Sequence, residues 1–339
     1  MAVTVLTQVS GSTDETARIN SALSVGDAVL LQPGVWPVTT VTMPTGSILS
    51  GAGRPTNLQQ IPGTAAPILT QSSTGSDHLE LQNVRLTAYT NSSNTGGVLW
   101  TGVSRSRMTN VIVEGYNTYG IKIIGFGAAN TGDAMYNELL SVDVRNGALN
   151  SACIQVSCAA GATKSHPDGT RIIGGYLGMQ VAGTGILFEG PTVDAATSIC
   201  ADGIYIAGVN MQNITIPFDL TCRFAQVTGC RVEHTGANMD AYVRAGTTNS
   251  PSRDIMFIAN EFASGTLTFH DAGQRTWRLG DTDASGAIQS LFNLFSGGTT
   301  LGALLRERHH RSHRPEQPSQ PGHRLAVQRQ FVPECRREL

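Results

Sequence analysis

Apolar and polar residues alternate along this chain in short bursts, and the bursts recur. The stretches LQNVRL (81–86), MTNVIV (108–113), LLSVDV (139–144), IIGGYL (172–177), IAGVNM (206–211), VTGCRV (227–232) and FIANEF (257–262) all begin and end on an apolar residue. Their starts lie 27, 31, 33, 34, 21 and 30 residues apart, so the unit keeps its pattern while its connections vary in length. A second phrase, apolar–x–apolar behind a small residue, follows each unit. Val98/Trp100, Ile121/Ile123, Ile154/Val156, Ile186/Phe188, Phe218/Leu220 and Leu267/Phe269 fit it well, and AYVR at 241–244 less cleanly. Alternation with period 2 marks strands with an inward and an outward face. Strands this short, repeating every ~30 residues, bury their apolar stripes by stacking as rungs of a parallel β-helix.

Charge supports the same register. On the outward side, successive units carry Glu80, Arg107, Glu138 and Arg171. Stacked rungs lie roughly 4.8 Å apart, so alternating signs attract where like signs would repel. Glu114 before Arg145 and Arg231 before Glu261 repeat the arrangement. These residues read as structural ladders.

A solenoid also needs its open end covered. Residues 11–23, GSTDETARINSAL, predict a short capping helix with Ser12 and Glu15 as a capping box and Ile19 and Leu23 on its apolar face. The expected organisation is a leading segment with this helix (1–45), a β-helix (46–285) and an irregular basic tail (286–339). From Leu305 onward the tail holds eight of the 23 basic residues and four of the eight His. With Pro recurring and no strand pattern left, it reads as a disordered or non-native end; a basic or metal-binding tail is the alternative.

The order GSTDETARINSAL, then VLLQPGVW, then ILSGAG resembles the leading segment of pectate-lyase-like right-handed β-helix proteins, which include polysaccharide lyases, glycoside hydrolases and phage tailspikes. The family form begins Gly-Asp-Gly and has two Asp before the Thr; here Ser10-Gly11-Ser12 and Asp14-Glu15 stand instead. The resemblance implies an all-β, right-handed parallel β-helix. It implies a tailspike-like, polysaccharide-binding or polysaccharide-cleaving protein, a homotrimer, and a virion or extracellular location. A non-catalytic adhesion or structural tail protein and a secreted polysaccharide lyase are the alternatives.

Composition narrows the field. Net charge is −2 and charged residues are 14%, which gives no electrostatic case for nucleic acid or an anionic membrane. The first ten residues show no signal peptide, and no run approaches a membrane span. Nucleotide loops, zinc spacings, nucleophile elbows and calcium loops are missing from the sequence, so no metal or cofactor is expected. The six Cys lack metal-ligand spacing and read as small buried hydrophobes, with a Cys158–Cys200 bridge as the alternative.

In a solenoid, long connections gather on one side and build a site. Three consecutive ones are long here: 125–137, 157–169 and 189–203. Asp168-Gly169 and Asp202-Gly203 occupy the same place before their next strands, with Asp133 one coil earlier. These three Asp are the candidate catalytic groups, because carboxylates on adjacent rungs approach the separation that glycosidases use. Asp-Gly is equally a common turn pair. His166, Glu189, Tyr176, Tyr205 and Asn210 are candidate substrate-binding residues, with Tyr116 a further outward aromatic suited to stacking on sugar rings.

Overall fold

The computed structural model describes residues 2–293, apart from 26–27, 89–95, 126–133, 161–166, 180, 192–200, 236–237, 264–265, 284 and 286–287. The tail beyond 293, and with it the basic His-containing stretch, lies outside the described residues.

Each coil has three faces. On the first two, three-residue strands such as Glu80–Gln82 and Arg85–Thr87 follow one another directly; a longer strand such as Gly96–Thr101 makes the third. Among the described residues, 22 strands form the sheet of the first two faces and nine form the third. Coil-to-coil pairing is parallel; among the described strands only Ile288–Asn293 runs antiparallel, against Gln274–Thr282.

The inward columns match the sequence pattern. On the first face Leu81, Met108, Leu139, Ile172, Ile206, Val227 and Phe257 pair in succession, and all are buried. On the second, Leu86, Val113, Val144, Leu177, Met211, Val232 and Phe262 do the same. Each column is a continuous apolar stack, and burying it is the main force for the fold. The third face follows the second phrase up to Phe218/Leu220, then departs from it. Leu267 and Phe269 pair with Met239 and Ala241, two residues ahead of the Ala241/Val243 pair that continues the preceding column. There Phe269 meets the Phe257 ring edge-to-face, with centroids 5.1 Å apart.

The corner between the first and second faces turns on a left-handed residue: Asn83, Asn110, Ser141, Gly174, Gly208, Gly229 and Ala259, with φ from 52° to 64°, and Gly175 follows Gly174 at φ 96°. Asn and Gly tolerate this conformation best. Turning there keeps the ladder intact: the Asn83 N–H donates to Thr109 O and the Asn110 N–H to Leu140 O, both at 3.0 Å.

The charge ladders form where the register predicts them. Glu138 takes Arg107 at 2.7 Å and Arg171 at 3.4 Å; Arg231 meets Glu261 at 3.5 Å. Glu80 lies opposite Arg107 but accepts a hydrogen bond from Gln82, and Arg145 binds Asp143 of its own strand in preference to Glu114.

Two details correct the sequence reading. The helix, Thr16–Ser24, does cover the end of the core with Ile19 and Leu23, but it has no capping box. Glu15 is buried: it accepts the Val9 N–H at 3.0 Å and pairs with Arg18 at 2.9 Å, while Asp14 caps the Thr16 N–H at 2.8 Å. Tyr116 points inward, not outward. Its hydroxyl donates to Cys153 Sγ at 3.1 Å, in space left by the missing side chain of Gly147. Burial pushes the Tyr116 hydroxyl well above its ordinary pKa and the Cys153 thiol up to about 12.

Candidate functional site

A second left-handed corner precedes the first face. His78, Arg105, Tyr136, Gly169, Gly203, Phe224, Asp254 and Arg275 hold it in successive coils, with φ between 48° and 64°. Here too the N–H groups run along the solenoid: Tyr136 donates to Asp168 O at 2.8 Å, Gly169 to Asp202 O at 2.7 Å and Gly203 to Arg223 O at 3.2 Å. Asp168 and Asp202 are therefore stacked on adjacent rungs. In the preceding coil the equivalent position is Met135, not Asp133, since it directly precedes the left-handed Tyr136. Asp133 itself, like His166, lies outside the described residues.

Asp168, Gly169, Asp202, Gly203, Tyr136 and Arg171 line one cleft of about 330 Å³. Gly169 suits this place in two ways. It takes φ 64°, and a Cβ on it would stand 2.6 Å from Tyr136 Cδ1. Tyr136 lies across this bare backbone and stays 63% exposed. Asp168 Oδ1 accepts the Asp202 N–H at 3.0 Å, and Asp202 Oδ2 pairs with Arg223 Nη2 at 2.9 Å. The cleft thus joins acceptors, a guanidinium and an aromatic face, a set that can hydrogen-bond hydroxyl groups and stack on a flat ring.

The remaining candidates are spread over the coil. Tyr205 stands next to Arg171 in the outward column of the first face, beside the cleft without lining it. Tyr176 and Asn210 are partners on the second face, turned away by the Gly174 and Gly208 corners. There the Tyr176 hydroxyl donates to Gln212 at 2.7 Å, and the Arg145 guanidinium sits 5.2 Å from its ring centroid. Glu189 ends the third-face strand Thr184–Glu189 and accepts a hydrogen bond from Gln155 at 2.6 Å. Among the described residues, no group of three His, Cys, Asp or Glu could hold a metal ion. Cys158 is buried at the end of its strand; Cys200, its proposed partner, lies outside the described residues.

Sequence reasoning missed Tyr136 and Arg223 and took Arg171 for a ladder member alone. Aligning the chain on the two pairs Asp168-Gly169 and Asp202-Gly203 and extending one coil beyond each would have found Tyr136 and Arg223.

No protein-family model matches the sequence, and no curated protein matches it either. Solved structures do. PfbA, a surface adhesin of Streptococcus pneumoniae, superposes with a TM-score of 0.59 at 13% identity over 83% of this chain and 78% of that one. ORF18 of Geobacillus virus E2 gives 0.50 at 13% identity over 85% of this chain and 63% of that one. This chain therefore spans less than two thirds of the viral protein. A polygalacturonase from Erwinia carotovora gives 0.48 at 11% identity, covering 80% of each chain. The chain folds as a right-handed parallel β-helix. At these identities the likeness is one of fold, and the chemistry has to be argued from the site.

Proposed function

We propose that the protein binds a polysaccharide at the second corner and cleaves it as a glycoside hydrolase, with Asp168 and Asp202 as the paired carboxylates. The observation that carries this reading is the convergence of both Asp, Arg171 and the open Tyr136 ring on one cleft. Adjacent rungs, roughly 4.8 Å apart, bring two carboxylates near the separation of retaining glycosidases. Tyr205, beside Arg171, extends the same surface. A tailspike-like homotrimer on a virion or at the cell exterior is the setting that the leading-segment resemblance implies.

A second reading, adhesion without catalysis, is favoured by one specific observation. Each carboxylate already has a partner within the fold, Asp168 in the Asp202 N–H and Asp202 in Arg223.

Incubating the protein with a panel of bacterial and plant polysaccharides separates these readings. Hydrolysis gives new reducing ends, lost in Asp168→Asn and Asp202→Asn variants that still bind. Binding without new ends supports adhesion, and unsaturated products identify a lyase. Binding to nothing on the panel, with no new ends, counts against the proposal.

A further inference from the structure

One outward column breaks the rule that the others keep. Elsewhere neighbouring rungs set opposite charges side by side, as in Arg107, Glu138 and Arg171 or in Arg231 and Glu261. In the column just before the second corner, Asp168 and Asp202 are neighbours, and so are Arg223 and Arg253. Like charges on adjacent rungs repel, so stability alone does not favour this order. The two signs meet in the middle, where Arg223 Nη2 donates to Asp202 Oδ2 at 2.9 Å and the side chains are only 17% and 28% exposed.

Arg223 is pushed as well as pulled. Asp202 lies on the rung before it and Arg253 on the rung after, so attraction and repulsion both turn its guanidinium toward Asp202. Arg253 is held elsewhere: its guanidinium lies 5.8 Å from the Phe224 ring centroid and meets Asp254, which Arg275 also binds, at 4.0 Å. Arg171, the other guanidinium at the cleft, goes to Glu138, which it shares with Arg107. Asp202 is therefore anchored through Oδ2 by Arg223. Among the described residues no donor takes its Oδ1, and the residue lines the cleft. A guanidinium stays charged at every working pH, so the anchor is a permanent cation. A carboxylate fixed through one oxygen and open at the other has a set direction of attack and a lone pair to attack with.

Building on the proposed function, we infer that Arg223 is the positioning residue of this site, aiming Asp202 as the nucleophile and leaving Asp168 to carry the proton. Asp202 Oδ1 bonds to the anomeric carbon as the glycosidic C–O bond breaks. The electron pair leaves with the glycosidic oxygen, which takes a proton from Asp168. Water then attacks the same carbon, gives a proton back to Asp168 and releases Asp202 as a carboxylate.

The test measures kcat and KM of the full chain for new reducing ends on dextran, xylan, chitosan, polygalacturonate and alginate. On the polysaccharide that the wild-type chain cleaves, Arg223→Gln should lose kcat by roughly tenfold to a hundredfold while KM stays within about twofold. Arg223→Lys restores the charge without the planar fork and should recover part of that loss. Gel retardation by the same polysaccharide and a thermal melt show that both variants still bind and fold. With added azide, Asp202→Ala should yield a glycosyl azide of anomeric configuration opposite to the substrate's, because azide attacks from the side that Asp202 vacates. An azide product of the substrate's own configuration reverses the two roles and overturns the inference. So does wild-type kcat in Arg223→Gln when Asp202→Asn abolishes cleavage, and both results leave the hydrolase in place. Cleavage of none of these polysaccharides by the wild-type chain overturns the proposed hydrolysis, and the inference falls with it.

Discussion

Asp281 offers the sharpest test of how the last coils are held. It is fully buried. Its Oδ1 accepts the backbone and side-chain N–H groups of Asn260, both at 3.0 Å, and its Oδ2 accepts Arg278 Nε at 2.9 Å. Asn260 passes the connection on, donating to Val227 O at 3.1 Å and accepting the Cys230 N–H at 3.0 Å. The Arg278 guanidinium lies 4.9 Å from the Phe269 ring centroid, with only 8% of the residue exposed. Asp281→Ala strands that cation and two amide donors together, which should cost about 3–5 kcal/mol. Asp281→Asn keeps an acceptor for Asn260 and should cost less. Pairing it with Arg278→Met removes the stranded charge, so the double variant should be more stable than Asp281→Ala by about 2 kcal/mol or more. Because rungs contact only their neighbours, the damage should be local. Hydrogen exchange should accelerate in Arg253–Ile258 and Gln274–Thr282 and stay unchanged in Glu80–Gln82. A loss under about 1 kcal/mol for Asp281→Ala, or equal exchange increases at both ends, would refute the reasoning.

Other outcomes follow from the same geometry. Leu139→Ala, in the middle of the first-face column between Met108 and Ile172, should lower stability by about 3–5 kcal/mol, read as a shifted urea midpoint. The raised Cys153 pKa favours the neutral thiol in the fold. Stability should hold below the ordinary value of 9.0 and fall as pH rises through about 12, by up to about 4 kcal/mol. Tyr116, raised by the same burial, adds to that fall, and a melting temperature flat from pH 8 to 11 would contradict it. Glu138→Gln should cost under about 1 kcal/mol, since both its Arg partners are half-exposed.

The sequence made the core legible because inward positions obey a strict rule. A period of 2 with an apolar residue at both ends of each unit leaves one face to bury, and Leu81 through Phe257 follow it without exception. The first corner was legible in part, since Asn83, Asn110, Gly174, Gly208 and Gly229 are residue types that favour left-handed backbone. The second corner hides the same conformation under His, Arg, Tyr, Phe and Asp, so only its two Asp-Gly pairs showed in the sequence. That is why Asp168 and Asp202 stood out in the sequence and Tyr136 and Arg223 did not. Tyr116 was misjudged for another reason. Its space and its partners, Gly147, Cys153 and Met179, come from later parts of the chain, and no local pattern announces them. Leu267 and Phe269 fit the local pattern, yet the packing of Phe257 against Phe269 set a different register.

The Asp-Gly pairs bear on a wider point, because a turn device and a site wall are not rival readings here. Gly169 and Gly203 take the left-handed corner without strain, and the bare backbone of Gly169 opens the floor on which Tyr136 lies. Asp168 steadies the next rung through one oxygen, and Arg223 fixes Asp202 in position. A wall held this firmly does not have to order itself when a ligand arrives, which lowers the entropic cost of binding. For a protein that only binds, that rigidity is sufficient. For a hydrolase, one of these carboxylates must also exchange a proton, and its existing partner would have to yield at that step. The Asn variants separate the two cases because Asn can retain the hydrogen bond that Asp168 accepts while losing the proton exchange. A protein that needs Asp168 only as a strut should tolerate Asn there, and one that needs it as an acid or base should lose cleavage and keep its fold.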